Sequence, residues 1–164
     1  MNVEQFKAAF NDLARPNRFQ VFLSHNGGQP NLSFFCKSSS APSQTVAAVD
    51  VNYQGRIIKL PGDRTNPTWT MKVYGSNSYE IYNSFNSWLT QSNDAVLNIG
   101  DTAANLKEDA IVNQLDRQDN VINSWRLVGV FPTEIGEIAF DWGTDNTVLE
   151  FDVTFAIDYL LVNQ

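Results

Sequence analysis

Apolar and polar residues alternate from Thr147 to Tyr159. Leu149, Phe151, Val153, Phe155, Ile157 and Tyr159 take the odd positions, and Glu150, Asp152, Thr154, Ala156 and Asp158 the even ones. This period of two marks a β-strand with one buried face. At about 3.3 Å per residue the stretch is roughly 40 Å long. A compact chain of this length has a radius of gyration of about 15 Å. The pattern therefore predicts one strand crossing the whole domain, with a small, acidic second face.

Other periodicities fill in the chain. Val3, Phe6, Ala9, Phe10 and Leu13 have helical spacing and predict a short amphipathic helix ending at Arg15-Pro16. Phe19–Ser24 and Leu32–Lys37 read as two strands joined through His25-Asn26-Gly27-Gly28, because Asn-Gly favours hairpin turns. Ser38–Ser43 reads as a loop. Val46–Val51 and Arg56–Leu60 predict a second β-pair around Asn52–Gly55, weakly amphipathic and more like a contact arm than a core strand. Pro61–Arg64 reads as a turn and Trp69–Tyr74 as a strand. Ile81, Tyr82, Phe85, Trp88 and Leu89 form one helical stripe, with Asn77 and Glu80 spaced as a capping box. Gln91–Glu108 is polar and loop-like around an apolar patch at Val96–Ile99. Ala110–Leu115 and Val121–Val130 read as strands, the second apolar on both faces and hence central. Pro132–Gly136 reads as a turn, Glu137–Trp142 as a strand, and Gly143–Asn146 as a turn into the last strand. The expected fold is mainly β: two packed antiparallel sheets, a β-sandwich or flattened barrel, with one flanking α-helix and a short N-terminal helix.

Composition narrows the function. With 164 residues the chain suits one domain, 1–164, with a substantial core, and eleven Phe and four Trp make that core aromatic. A net charge of −7 repels nucleic acid, and no basic run suits a membrane surface. The N-terminus has no apolar signal region, and no apolar run approaches a membrane span. The one cysteine, Cys36, fits a reducing compartment, so the chain is expected to be cytosolic when made.

Candidate chemistry is sparse. The only histidine, His25, and Cys36 could meet across the predicted hairpin, but no electropositive neighbour would activate the thiol, and a small buried apolar role suits Cys36 better. Asp141, Asp145 and Asp152 match no calcium loop. Glu134, Glu137, Glu150, Asp152 and Asp158 could supply a carboxylate pair, although acids spaced along a strand are usually its solvated face. Trp69, Trp125 or Trp142 could form the platform of a carbohydrate-binding sandwich. The sheet, in contrast, is long and lacks the prolines and inward lysines that blunt edges. Its edges are either covered by loops in a monomer or paired head to tail with other copies, which on rotation close a ring.

Four segments carry a resemblance to a known family. They are Ala14–Val21 (Ala-Arg-Pro-Asn-Arg-Phe-Gln-Val); Gly62-Asp63-Arg64-Thr65 with Trp69-Thr70 and Val73; Phe131–Ile138 with Asp141-Trp142; and Phe151–Tyr159. In this order and spacing the chain resembles the tail tube proteins of contractile-tailed, T-even-like bacteriophages (myoviruses) and the related tubes of phage-derived injection particles. The resemblance implies a non-enzymatic structural virion protein with no cofactor. Six copies would join their inner sheets into one β-barrel, and the hexameric rings would stack into the inner tail tube. Its partners would be other copies, the surrounding tail sheath protein, the baseplate or initiator, the tail terminator, and double-stranded DNA passing through the lumen without specific binding. It would have no membrane anchor, and would be assembled in the bacterial host cytoplasm into the virion tail. The arm Val49, Asp50, Val51, Asn52, Tyr53, Gln54, Gly55 and Arg56 is expected to touch the neighbouring ring. Glu150, Asp152 and Asp158 are expected to face the lumen, with a neighbouring subunit or the outer surface as alternatives. A particle carrying protein rather than DNA, and a monomeric carbohydrate-binding module, are the competing readings.

Overall fold

The computed structural model describes residues 2–9, 13–25, 31–66 and 68–163. In chain order the elements are α1 (Val3–Ala9), β1 (Phe19–Leu23), α2 (Leu32–Phe35), β2 (Cys36–Ser39), β3 (Thr45–Tyr53), β4 (Arg56–Thr65), β5 (Trp69–Tyr74), α3 (Glu80–Ser92), α4 (Ala103–Leu106), β6 (Glu108–Leu115), β7 (Val121–Ile135), β8 (Glu150–Ala156) and β9 (Tyr159–Asn163). The fold is mainly β, as the periodicities predict.

Seven strands form one antiparallel path, β1-β6-β7-β8-β5-β2, with β9 added on β7. The path folds into two sheets because β7 belongs to both. Its first half lies between β6 and β9, with Leu127 opposite both Ala110 and Leu160. Its second half pairs with β8, with Phe131 opposite Ala156 and Ile135 opposite Val153. The change of sheet occurs at Gly129, whose φ of +70° is open to glycine and strained for other residues. A Cβ there would also lie 2.2 Å from Asp158 Oδ2.

That bend corrects the longest sequence expectation. Thr147–Tyr159 is not one strand. β8 covers seven residues of it, and the chain turns at Ile157-Asp158, where the Asp158 amide donates to the Val128 carbonyl at 3.0 Å, before continuing as β9. The burial phase flips with the turn: Phe151, Val153 and Phe155 are buried, but then Tyr159 is exposed and Leu160 buried. The longest strand is β7, with 15 residues. It absorbs Pro132, which reads as a turn in sequence. In its sheet this half of β7 is the open edge, and a register shift follows Pro132, so the missing N–H breaks no ladder. Glu137–Trp142 forms no strand.

Other expectations shift for local reasons. The Phe19–Lys37 hairpin does not form. β1 pairs with β6, β2 with β5, and Leu32–Phe35 is a helical turn; residues 26–30 lie outside the described set. Residues 61–65 continue β4 instead of turning, with Gly62 beside a register shift in β3. α1 covers the first part of the predicted N-terminal helix, and residues 10–12 lie outside the described set. The Asn77–Glu80 capping box is replaced by Tyr79 at φ 53°, without a side-chain cap.

α3 supplies the roof of the core. Ile81, Phe85 and Trp88 recur at helical spacing and are buried. They reach the buried face of β8: Phe85 and Trp88 lie 5.7 and 6.1 Å from Phe155, and Tyr82 meets Phe151 edge-on at 5.4 Å. Trp69, Met71 and Val73 of β5 and Val21, Leu23, Ala110, Val112 and Leu127 of the other sheet complete one cluster. Each large apolar side chain so buried contributes roughly 1.5–3 kcal/mol.

Candidate assembly surfaces

β3 and β4 form a separate two-stranded sheet. The turn Gln54-Gly55 has φ of 47° and 78°, the left-handed pair of a tight hairpin, and this suits Gly55. Register then sorts the side chains. Val49 faces Leu60, Val51 faces Ile58 and Tyr53 faces Arg56 on one side; Asp50 faces Lys59 and Asn52 faces Ile57 on the other. The hairpin is therefore more amphipathic than its mixed sequence suggests, with one face nearly all apolar. The polar side carries the Lys59–Asp50 ion pair at 2.8 Å. Every residue of β3 is exposed, and on the apolar face Val51, Ile58, Val49, Leu60 and Tyr53 are 41, 49, 50, 50 and 61% exposed. A contiguous apolar face of this kind marks an interaction surface. The arm expected at Val49–Arg56 is its distal half.

The three expected lumen carboxylates are not together. Glu150 and Asp152 share the outer face of β8, whereas Asp158 lies at the turn into β9. Each has a lysine partner: Lys37 at 2.5 Å from Glu150, Lys72 at 3.5 Å from Asp152, and Lys107 at 2.7 Å from both oxygens of Asp158. Lys37 is raised above its ordinary value mainly by its hydrogen bond to Glu150. This face is charge-paired rather than purely acidic.

The candidate catalytic groups have other partners. β1 pairs with β6 and β2 with β5, so the hairpin expected to join His25 and Cys36 does not form. The His25 ring stacks on Trp88 at 4.0 Å and 3°, and burial lowers its pKa, partly opposed by the Glu108 carboxylate. Cys36 is buried, and that burial pushes its thiol up to about 11, far from a reactive thiolate. Among the described residues no group of three His, Cys, Asp or Glu could hold a metal. Asp141 instead ties its own turn, accepting from the Gly143 amide and the Thr144 hydroxyl at 2.9 Å each, which lowers its pKa. Trp69 is buried with its indole N–H on Ser39 Oγ, Trp125 is half-buried, and only Trp142 is fully exposed, so the three tryptophans make no common sugar platform. Glu134 and Glu137 are exposed on the far end of β7 and the loop after it.

Two surfaces escaped sequence reasoning. One is the loop from Glu137 to Leu149, with Phe140 and Trp142 standing out into solvent. The other is a small cavity framed by Arg15 and Arg18 from one turn and by Asp116 and Arg117 from a turn about a hundred residues on. The only sequence signal for the cavity was the unusual Arg-Pro-Asn-Arg run. No helix of the described residues is long and apolar enough to cross a membrane.

Comparison with known proteins agrees with this architecture. The phage tail tube protein family matches residues 5–163. The chain is 34% identical to tail tube protein gp19 of Enterobacteria phage T4, over 97% of this chain and 99% of that protein, and 26% identical to the tail tube protein of Serratia phage KSP90, over 81% and 76%. Among solved structures, a chain of the sheath-tube complex of the PVC extracellular contractile injection system superposes with a TM-score of 0.70 at 17% identity, over 99% of this chain and 98% of that one. A chain of the anti-feeding prophage baseplate gives 0.72 at 16% identity, over 93% and 96%. The chain belongs to the phage tail tube protein family, whose members are structural components of contractile tails and not enzymes.

Proposed function

We propose that residues 1–164 form a single tail-tube domain, six copies of which close into a ring, and that the rings stack into the inner tube of a contractile tail. The exposed apolar face of the β3–β4 hairpin carries this reading. A hairpin alone is marginal in water, and a face of valine, isoleucine, leucine and tyrosine calls for a second chain to cover it. We assign its outer half, Val49–Arg56, to the contact between rings. Ring closure falls to the open edges: β1 and β9 in one sheet, β2 and the second half of β7 in the other. Pairing them between copies into one barrel removes the edges altogether.

The lumen would be lined by a polar sheet face, and Glu150, Asp152 and Asp158 are our assignment for it. With all three carboxylates matched to lysines and a net charge of −7 on the subunit, such a wall presents no unpaired cation to double-stranded DNA, which could slide through without specific binding. The sheath would surround the tube, and the baseplate or initiator and the terminator would bound its ends. The tube would be assembled in the host cytoplasm, as part of the virion tail and without a membrane anchor.

Negative-stain microscopy and sedimentation of the purified chain, with and without a tube initiator, test this reading. Six-fold rings or tubes of constant diameter are the expected result. A chain that stays monomeric at every concentration and with an initiator present contradicts it.

A further inference from the structure

The sheet that contains β8 has β2 on one edge and the second half of β7 on the other. β2 is antiparallel to β5, β5 to β8, and β8 to β7. β2 and β7 therefore run in opposite directions, three strand spacings apart, about 14 Å. The start of β2 and the end of β7 lie at the same end of the sheet. Register puts them level: Cys36 pairs with Val73 and Val73 with Phe151, while the Gly136 amide donates to the adjacent Asp152 carbonyl at 2.7 Å. A rotation about a barrel axis keeps every strand direction, so β2 of one copy meets β7 of the next antiparallel. The same two strand ends then lie one spacing apart, about 4.8 Å.

Both ends carry exposed aromatic side chains on a fixed backbone. Before β2, α2 is a single helical turn in which the Phe34 and Phe35 amides donate to the Asn31 carbonyl at 3.0 and 3.2 Å. Leu32 is buried and Phe35 packs against the core, which leaves Phe34 outward and 82% exposed. After β7, the loop is pinned where it leaves the sheet by Gly136. It is pinned where it returns by the Gly75 amide, which donates to the Leu149 carbonyl at 2.8 Å. Asp141 ties the middle through Gly143 and Thr144. Phe140 and Trp142 project from this loop and are 79 and 105% exposed. A fixed backbone loses little entropy on contact, and large aromatic side chains dominate interfaces.

We propose that Phe34 of one copy packs against Phe140 and Trp142 of the next, an aromatic clamp that closes one end of the β2–β7 joint. Three large aromatic side chains bury roughly 500 Å². A stable contact buries about 1,600 Å² in all, so the paired strands supply the rest. The clamp also supplies what the strands lack. Beyond Cys36 the β2 edge is Lys37, Ser38 and Ser39, and polar strands specify register weakly. Packing of Phe34 against the loop sets which residues of the two edges meet. The inference rests on ring closure through these edges and adds the side chains that fix its register.

Trp142 is the reporter, because Trp69 and Trp88 are buried and Trp125 is half-buried. Acrylamide quenching of the exposed fluorescence should fall on assembly, and the Trp142→Ala variant should lack that change. Phe34→Ala and Trp142→Ala should each raise the concentration needed for assembly by about tenfold or more, with the subunit's melting temperature unchanged. The double variant should be little worse than either single one, since both substitutions remove the same contact. Proximity is read by disulfide trapping in a Cys36→Ala background, above the concentration at which each variant assembles. An equal mixture of Phe34→Cys and Trp142→Cys chains should give linked pairs on a non-reducing gel that neither chain gives alone. Wild-type chains that never associate overturn both the tube reading and this one. Chains that associate with Trp142 still fully quenchable, single effects that add in full in the double variant, or assembled mixtures that link no more than either chain alone overturn the clamp and leave the tube reading standing.

Discussion

β8 and the β3–β4 hairpin obey the same rule and end in opposite environments. In β8, Phe151, Val153 and Phe155 alternate with polar residues and are 3, 0 and 0% exposed. In the hairpin, Val49 and Val51 alternate with Asp50 and Asn52 across from Leu60 and Ile58, and all four apolar residues are at least 41% exposed. Alternation therefore reports that a face is to be covered and does not report what covers it. For β8 the cover is α3 and the second sheet of the same chain. Among the described residues nothing covers the apolar face of the hairpin, which is what makes it a candidate assembly surface.

The largest expected effect lies where the cover is internal. Phe155 touches Trp69, Phe85 and Trp88 at ring distances of 5.0 to 6.1 Å. Phe155→Ala should cost the subunit about 3–5 kcal/mol. At about 2–4 °C per kcal/mol for a domain of this size, the melting temperature should fall by about 10 °C, measured by circular dichroism. A change of a degree or less would mean that β8's face is not the centre of the core.

Next comes the bend that lets one strand serve two sheets. Gly129→Ala puts a side chain at a left-handed φ and against the Asp158 carboxylate, which Lys107 already holds. A penalty of about 1–3 kcal/mol is expected from the backbone alone. Replacing Asp158 by Gly in the same chain should relieve only the steric part, and a thermal melt of the double variant separates the two.

Much of this architecture was legible in the sequence, and the losses have specific causes. The buried stripes of β5, β8 and α3 follow from side-chain spacing alone, because period decides which residues share a face. The N-terminal hairpin was misread because an Asn-Gly pair reports local turn preference, while β1 found its partner in β6, about ninety residues on. Pro132 and Gly62 read as turn residues because an open edge and a register shift, which permit them inside strands, are properties of the finished sheet. Among the assembly surfaces the hairpin could be located from its sequence, but its apolar face could not, since that depends on cross-strand register. The arginine-lined cavity joins residues about a hundred positions apart and carries no local pattern.

A smaller effect tests the cover over the end of α3. His25 lies flat on Trp88, and Glu108 is the charged group that faces it. Its folded pKa is lowered, so the unfolded chain takes up the proton first. The stability it contributes is present above the ordinary imidazole value of about 6.5 and is lost as pH falls through the lower folded value. The melting temperature should therefore decline from about pH 7 to about pH 5, and His25→Phe should flatten that decline. Asp94, Asp101, Asp116 and Asp141 have lowered pKa values, so their contributions fade only below the ordinary carboxylate range and leave this window to His25. A slope that is the same in both proteins places the pH dependence elsewhere.

On the outer face of β8 the effect should be smaller again. Lys72 and Asp152 are directly opposite and both about half exposed, so solvent screens them. Lys72→Gln should move the melting temperature by no more than about 2 °C. If the variant assembles but slows DNA ejection in a reconstituted particle, the unpaired Asp152 charge matters to the conduit, and the lumen assignment of β8 gains support. If ejection is indifferent to Lys72→Gln and to Asp152→Lys, that face is not the lumen.

The sharpest form of the contrast predicts almost no effect on the fold. Val51→Thr with Ile58→Thr keeps β-branched residues in a facing pair, so the hairpin retains its strand preference and register while losing apolar surface. Because β3 and β4 pair with no other described strand and both residues are about half exposed, the subunit's melting temperature should stay within about 1 °C of wild type. Assembly, followed by sedimentation velocity, should fail or need far higher concentration, because each copy has lost the surface its neighbour covers. Two results would break the comparison in different places. A loss of stability like that of Phe155→Ala would show that the hairpin is covered within its own chain after all. Unimpaired tubes would show that its apolar face is not an interface and that the ring contacts must come from the sheet edges instead.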